Sequence, residues 1–405
     1  MMKKTALIVI AALLAFGPAA CRKAGVKSGR PAEAGLSAAQ MKLVEDLMND
    51  SLRRGDIPGA VVIVGRRGRV VLRQAFGSSQ IVPRRLPMTE DALFDAASLT
   101  KPVATATSFM VLVEQGRISL TEKVRDHIPE FEPAAGAEES AAPEPVRIWH
   151  LLTHTSGLPS YVPSTEAEDI ETMFGPSLAT EDLVKAIARL PRSGPPGRDF
   201  RYSCLGYITL AHILQKVTGR SLADFAAEHI FKPLGMRHTT FNPSPALREK
   251  CVPTQVLKGE PLRGVVHDPL ARLQGGVSGN AGLFTTADDL AVFCQMLLDG
   301  GAFRGRRVLS PLSVRRMTEV FPAASFAGRG LGWDLDSAYA TSGGDLFGPK
   351  SYGHTGYTGT SIWIDPETRT FVLFLSNRVH PDDKGSIVAL RSRLANVVAA
   401  GVIEP

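Results

Sequence analysis

Phe94-Asp95-Ala96-Ala97-Ser98-Leu99-Thr100-Lys101-Pro102 runs directly into Val103-Ala104-Thr105-Ala106-Thr107-Ser108-Phe109-Met110-Val111-Leu112-Val113-Glu114-Gln115-Gly116. The second half reads as a buried helix with a glycine stop. Pro102 is tolerated only near a helix start, so the helix begins close to Ser98. Residues three apart share a helix face, with Cβ atoms roughly 5–6 Å apart. Ser98 and Lys101 therefore stand side by side, and Ser98 sits where the positive end of the helix dipole favours developing negative charge. A hydroxyl becomes a nucleophile when a neighbour takes its proton, and a lysine desolvated by apolar surroundings gives up its charge readily enough to do so. Lys101 is the only lysine in the chain with a serine three residues before it. Four residues decide nothing alone: Ser-x-x-Lys arises by chance about once in a chain of this length, as a capping serine and a surface lysine. The rest of the chain has to supply the context.

With 405 residues the chain is long enough for one large or two modest domains. Its 44% hydrophobic and 21% charged residues are those of an ordinary globular protein. A net charge of +6 is small for this length and shows no basic block, so no nucleic-acid partner is expected. Met1-Met2-Lys3-Lys4, an apolar run from Ala6 to Phe16, and Gly17-Pro18-Ala19-Ala20-Cys21 form a charged start, a short apolar core and a small-residue break. That is the pattern of a secretory signal over residues 1–20, too short for a membrane span. It resembles a bacterial lipoprotein signal, with Cys21 as the lipidated first residue and Pro18 where an aliphatic residue is usual; ordinary cleavage in the Ala-rich stretch is the alternative. The expectation is a monomer at the cell envelope, held to a membrane through Cys21 and facing the periplasm. Cys204, Cys251 and Cys294 remain, with no Cys-x-x-Cys pair, and read as small buried apolar residues.

Residues 21–36, small, polar and basic, read as a flexible tether. Ser37-Ala38-Ala39-Gln40 is a capping box opening a helix whose apolar stripe is Met41, Val44, Leu47, Met48 and Leu52, ended by Gly55. Ala60–Val64 and Val70–Leu72 about Arg66-Arg67-Gly68 predict a β-hairpin. Glu132 to Pro145 is a low-complexity insert, expected to be an exposed loop. Leu183–Leu190, Tyr207–Val217 closed by Gly219, and Ala287–Leu298 have helical periodicity. Strand patterning returns in Ser361–Asp365 and Thr370–Leu375, and a last helix is expected from about Ser386 to Ala399. The fold class this predicts is α/β (α+β): an antiparallel sheet from both chain ends, flanked by helices, with an all-helical lobe inserted. The domain spans 37–405, with the sheet lobe at 37–97 and 346–405 and the helical lobe at 98–345. A cleft at the seam is the default place for a site.

Ser98-x-x-Lys101 at the opening of the helical lobe is joined by four further blocks. They are Leu151-Leu152-Thr153-His154-Thr155-Ser156-Gly157-Leu158; Pro196-Gly197 with Phe200-Arg201-Tyr202-Ser203-Cys204-Leu205-Gly206-Tyr207; Gly275-Gly276 to Gly282-Leu283-Phe284-Thr285-Thr286-Ala287; and Gly353-His354-Thr355-Gly356. In this order they resemble the serine β-lactamase and penicillin-binding protein superfamily, nearest the class C-like branch that also holds esterases and peptidases. The resemblance covers roughly residues 37 to 400. It implies a β-lactamase/transpeptidase-like fold and acyl-enzyme chemistry on Ser98, with Lys101 beside it. Tyr202 matches the tyrosine of Tyr-x-Asn, the phenol that exchanges protons with Ser98 and the leaving group, while Cys204 replaces the asparagine and its substrate-touching amide. His354 stands where the lysine of Lys-Thr-Gly is usual, followed by Thr355 and Gly356 as substrate contacts. An imidazole there donates a hydrogen bond and is charged only below a pKa of about 6.5. The oxyanion hole implied is the backbone N–H of Ser98 and of Tyr357, donors that typically account for ~2.7–4 kcal/mol of barrier each.

Val266-His267-Asp268-Pro269 and Ser376-Asn377-Arg378-Val379-His380-Pro381 resemble a narrower branch of penicillin-binding-like proteins and Ser-x-x-Lys N-acetylmuramyl-L-alanine amidases. His267 and Asp268 either meet substrate at the cleft rim or fix a turn; Arg378 pairs with a substrate carboxylate or with a structural acid. His150 and His154 are four apart but lack an intervening glutamate and a third ligand, so no metal is expected. Gly275 to Gly282 lacks a following Lys-Ser/Thr and is no phosphate loop. No cofactor is implied. The function expected is an exported serine hydrolase of an amide or ester, with a peptidoglycan-derived peptide as the expected substrate, as a carboxypeptidase, muramyl-peptide amidase or esterase. A penicillin-binding sensor that acylates without turnover and an inactive muropeptide-binding relative are the alternatives.

Overall fold

The computed structural model describes residues 25–131, 144–164 and 167–404. The signal segment, Cys21 and most of the insert read at Glu132 to Pro145 lie outside the described residues.

Ser37 caps α1 (Ala38–Arg54) by accepting from the Gln40 N–H, and Gly55 closes it in a left-handed conformation. The hairpin follows as β2 (Gly59–Arg66) and β3 (Arg69–Gln80), with β1 the two-residue strand Lys27–Ser28. From the far end of the chain come β4 (Tyr352–Thr355), β5 (Ser361–Asp365) and β6 (Thr370–Ser376). The sheet order is β1-β3-β2-β6-β5-β4, so the two ends of the chain meet at the β2–β6 pair. Val62 lies opposite Phe374 there and Val64 opposite Val372. Every residue of β2 is buried, as a central strand covered on both faces must be. Alternation divides it: Val62 and Val64 pack with Met41, Val44 and Met48 of α1 and Leu390, Leu394 and Val398 of the last helix, α5 (Val388–Ala399). Val61 and Ile63 turn to the other face and join the large core that holds Phe109 and Leu112.

That core belongs to the helical lobe, built around α2 (Thr107–Glu114), α3 (Cys204–Thr218) and α4 (Ala287–Leu298). Three expectations are corrected. The lobe is not all helical: Phe94–Asp95, Leu283–Thr285 and Thr240–Phe241 form a small three-stranded sheet, and apolar and β-branched residues in these stretches favour it. The chain approaching Ser98 is thereby anchored, Phe94 opposite Thr285 and Asp95 opposite Phe284. The α3 helix begins three residues before Tyr207, because Ser203 caps it at Cys204. The stretch read as a tether is ordered from Gly25 on: β1 pairs in parallel with β3, and Leu36 bridges to Val402. Its attachment has a physical reason. The buried Arg66 guanidinium finds acceptors in the Ala34, Gly35, Thr368 and Glu404 carbonyls, which ties both chain ends to the sheet.

Candidate active site

The helix expected at Ser98 starts irregularly. A 3₁₀ turn (Ala97–Leu99) and a wide π-type turn (Lys101–Ala106) precede regular α2, and the Thr107 hydroxyl donates to the Pro102 carbonyl at 2.7 Å within that wide turn. Ala97 has φ of +46°, a conformation an alanine adopts only when its surroundings impose it. Asp95 imposes it. Its Oδ1 accepts from the Ala97 N–H at 2.8 Å and its Oδ2 from the His267 N–H at 2.7 Å. The turn exposes Ser98 to a cleft of about 320 Å³ between the β4 edge of the sheet and the helical lobe, a volume within the range of small-ligand sites.

Burial pushes the Asp95 carboxyl up to about 6, against the lowering effect of those two N–H donors. Between its unfolded value of about 3.9 and that value, the folded chain binds more protons than the unfolded one, so this group makes stability fall as pH rises. The slope ends above the folded value. We expect denaturant unfolding of the wild type minus Asp95→Asn to decline by roughly 1–3 kcal/mol from pH 4 to pH 7 and then level off. A difference independent of pH would show that folding does not raise the Asp95 pKa.

Lys101 is fully buried, and its Nζ lies 2.9 Å from Ser98 Oγ, 3.0 Å from the Asn280 carbonyl and 3.4 Å from Cys204 Sγ. Burial works against the charge on Lys101 and is the largest single influence. The pull of Cys204 and Tyr202, with Asp268 beyond them, outweighs it and holds Lys101 above the ordinary lysine range. This corrects the expectation of an amine made neutral by desolvation alone. Burial raises the Tyr202 phenol more than Lys101 and Ser98 lower it, and it raises the Cys204 thiol in the same way. Lys101, Tyr202 and Cys204 thus titrate as one unit.

Tyr202 brings its ring under Lys101, 5.0 Å from Nζ to centroid, and stacks on His154 at 4.3 Å. His354, on β4, lies 6.0 Å from the Tyr202 ring. Its Nδ1 faces the Thr355 carbonyl at 2.8 Å, which requires the proton there and leaves Nε2 an acceptor, buried and without a partner among the described residues. Burial, reinforced by Arg329 and Lys101, holds its pKa well below the ordinary histidine value. The expected pH-dependent, donating imidazole is therefore corrected to a neutral one that accepts. Neither the Ser98 nor the Tyr357 backbone N–H donates to a protein acceptor among the described residues, and both residues line the cleft.

Ser98, Tyr202, His354, Thr355, Gly356 and Tyr357 line this cleft together, and Lys101 and Cys204 stand directly behind Ser98. His267 and Asp268 are not among its walls. The His267 ring stacks behind Tyr357 at 5.6 Å, and Asp268 caps the turn Pro269–Leu273 through the Ala271 N–H while accepting from Asn280. Arg378 does line the cleft, but it pairs with Asp383 at 2.9 Å and donates to the Tyr357 carbonyl. Sequence reasoning missed Arg329, Arg391 and Tyr339 on the cleft wall and the Asn280 carbonyl that orients Lys101. Arg329 is 1% exposed, paired through Nη1 with Asp334 at 3.1 Å, and its Nε and Nη2 have no hydrogen-bond partner among the described residues. No cluster among the described residues could hold a metal ion.

Comparison with known proteins gives a consistent picture. The family model described as Beta-lactamase matches residues 42–396. An N-acetylmuramyl-L-alanine amidase of Bacillus subtilis is 29% identical over 371 residues, 85% of this chain and 82% of its own. A Salmonella agona protein provisionally named D-alanyl-D-alanine carboxypeptidase is 29% identical over 86% of this chain and 85% of its own. Among solved structures, EstCE1, a hydrolase with promiscuous acyltransferase activity, superposes with a TM-score of 0.72 at 25% identity, covering 90% of this chain and all of its own.

Proposed function

The chain belongs to the Beta-lactamase family and is a hydrolase of that fold, and from that premise we propose that it hydrolyses a peptide amide or ester of cell-wall origin through an acyl-enzyme on Ser98. One observation carries the reading: Ser98 Oγ accepts from a fully buried lysine at 2.9 Å, in a cleft lined by Ser98 and Tyr357, whose backbone N–H groups have no protein acceptor among the described residues. Ser98 Oγ attacks the carbonyl carbon. Its proton passes to the Lys101–Tyr202 pair in its net-neutral form and from there to the departing amine or alcohol. The oxygen that becomes negative accepts from the Ser98 and Tyr357 N–H groups. Water then attacks the acyl ester, the leaving oxygen recovers its proton on Ser98, and the acid departs. Of the three arginines on the cleft wall, Arg329 pairs with Asp334 and Arg378 with Asp383, and Arg391 leaves an excess of one positive charge, which suits a substrate with a negative group such as a peptide carboxylate. The names of the Bacillus subtilis and Salmonella agona relatives support a muropeptide or a peptide stem. A sulfhydryl at 204 in place of an amide and a neutral His354 argue against efficient β-lactam turnover. The same reading places the protein at the envelope, exported by residues 1–20 and lipidated on Cys21.

Intact-mass spectrometry of protein purified from its membrane fraction tests these statements together. We expect a lipid mass on Cys21, an acyl adduct on Ser98 with an activated ester, disappearance of that adduct with product release, and cleavage of a muropeptide. Ser98→Ala should show none of the acyl chemistry. A lasting adduct with no release would make the protein a sensor; no adduct on the wild type with any of ester, muropeptide or β-lactam would sink the enzymatic reading.

A further inference from the structure

Tyr357 belongs to a tight loop, residues 356–360, between β4 and β5. The loop is closed by the Gly356 N–H donating to the Thr360 carbonyl at 2.7 Å. On one side it is pinned to the segment leading into Ser98: the Thr358 hydroxyl donates to the Asp95 carbonyl at 2.8 Å, and the Thr360 hydroxyl to the Ala96 carbonyl at 3.0 Å. On the other side stands Arg391 of α5. Its Nη2 donates to the Gly356 carbonyl at 2.9 Å and to the Thr360 carbonyl at 2.8 Å, the two residues that begin and end the loop. Arg391 is 8% exposed and has no carboxylate partner among the described residues. A buried cation without a counter-ion is a poor stabiliser, and an apolar residue of similar volume would fill the space at less cost. Two carbonyl acceptors at the ends of one loop, bridged by a single nitrogen, fix the loop's width and hence the direction of the Tyr357 N–H.

We propose that Arg391 is a positioning residue for the oxyanion hole, acting through the loop 356–360 rather than on substrate; this rests on the reading of Ser98 as the nucleophile. The guanidinium clamps one donor of the pair while Thr358 and Thr360 tie that donor to the turn that carries the other. The separation of the two N–H groups is then set from both sides. Nothing in the local sequence of the last helix signals such a role, because the contact spans 31 and 35 residues.

Arg391→Met and Arg391→Lys test it, with a neutral activated ester, p-nitrophenyl acetate, and with phenylboronic acid, whose serine adduct is tetrahedral and anionic. In Arg391→Met the acylation rate should fall at least tenfold with KM within twofold, and boronate affinity should fall by a similar factor. Arg391→Lys keeps a donor on a flexible stem and should recover part of both. A lowered melting temperature with unchanged acylation per active site and unchanged boronate affinity overturns the proposal, as a purely structural role would give. A rise in KM confined to carboxylate-bearing esters also overturns it, by making Arg391 a direct substrate contact. If Arg391→Met does not fold, Arg391→Lys alone decides by the same split between rate and KM. If the wild type fails to acylate, the nucleophile assignment is at fault and not the clamp.

Discussion

Lys101→Met is expected to lower kcat/KM for an activated ester by about 10³–10⁴-fold while leaving the protein folded. The amine touches three groups, Ser98 Oγ, Cys204 Sγ and the Asn280 carbonyl, and the thioether replaces none of those hydrogen bonds. Its removal leaves the Asn280 carbonyl without this donor, which costs about 1–3 kcal/mol. Against that, a fully buried positive charge disappears, and the cost of holding it out of water disappears with it. The two effects nearly cancel. A melting temperature within a few degrees of the wild type, together with loss of acylation measured by stopped flow, is the result the site predicts. Activity within tenfold of the wild type would show that Ser98 is activated without Lys101, and the proton path through the pair would have to be abandoned.

Gly356→Ala is expected to reduce kcat by about 10²–10³-fold with little change in KM, equivalent to ~2.7–4 kcal/mol of lost oxyanion stabilisation. A Cβ at this position would lie 2.1 Å from Thr360 Oγ1 and 2.6 Å from the Ala96 carbonyl oxygen. The threonine hydroxyl can rotate away. The Ala96 backbone cannot, because it is hydrogen-bonded to Leu283 and leads straight into the constrained Ala97 and Ser98. The loop must therefore lift, and the Tyr357 N–H moves with it. Combining Gly356→Ala with Thr360→Ala relieves only the first contact and should restore little. Steady-state kinetics on the activated ester decide the matter: a kcat within threefold of the wild type means that Tyr357 contributes no donor.

What the chain disclosed in advance follows a physical line. Periodicity reports which face of an element is covered, so α1, the β2–β3 hairpin, α4 and strands β5 and β6 were legible from their apolar spacing. Ser98 and Lys101 were legible because their proximity is a property of one helical turn. Arg391 was not, since its partners lie on another element and a polar residue in an amphipathic helix carries no mark of what it will meet. The same holds for the Asn280 carbonyl, a backbone atom with no signature at all. The tautomer of His354 depends on where the Thr355 carbonyl points, and the charge on Lys101 depends on which neighbours the fold supplies. Residues 25–36 have the composition of a linker, and so read as a tether, while they are held by the pairing of β1 with β3 and by the Ala34 and Gly35 carbonyls that Arg66 requires.

The pairing of β2 with β6 joins residues roughly 300 apart. During synthesis at about 5–20 residues per second, the finished hairpin waits roughly 15–60 s before its partner strand exists. For that interval β2, apolar from Ala60 to Val64, offers an open row of N–H and C=O groups to any other chain nearby. A nascent molecule of this kind is at its most vulnerable just before completion, and a translation product stopped short of residue 370 would hold the His354 strand with no β6 to join it to the hairpin, and would lack the part of the cleft wall from Arg378 to Arg391.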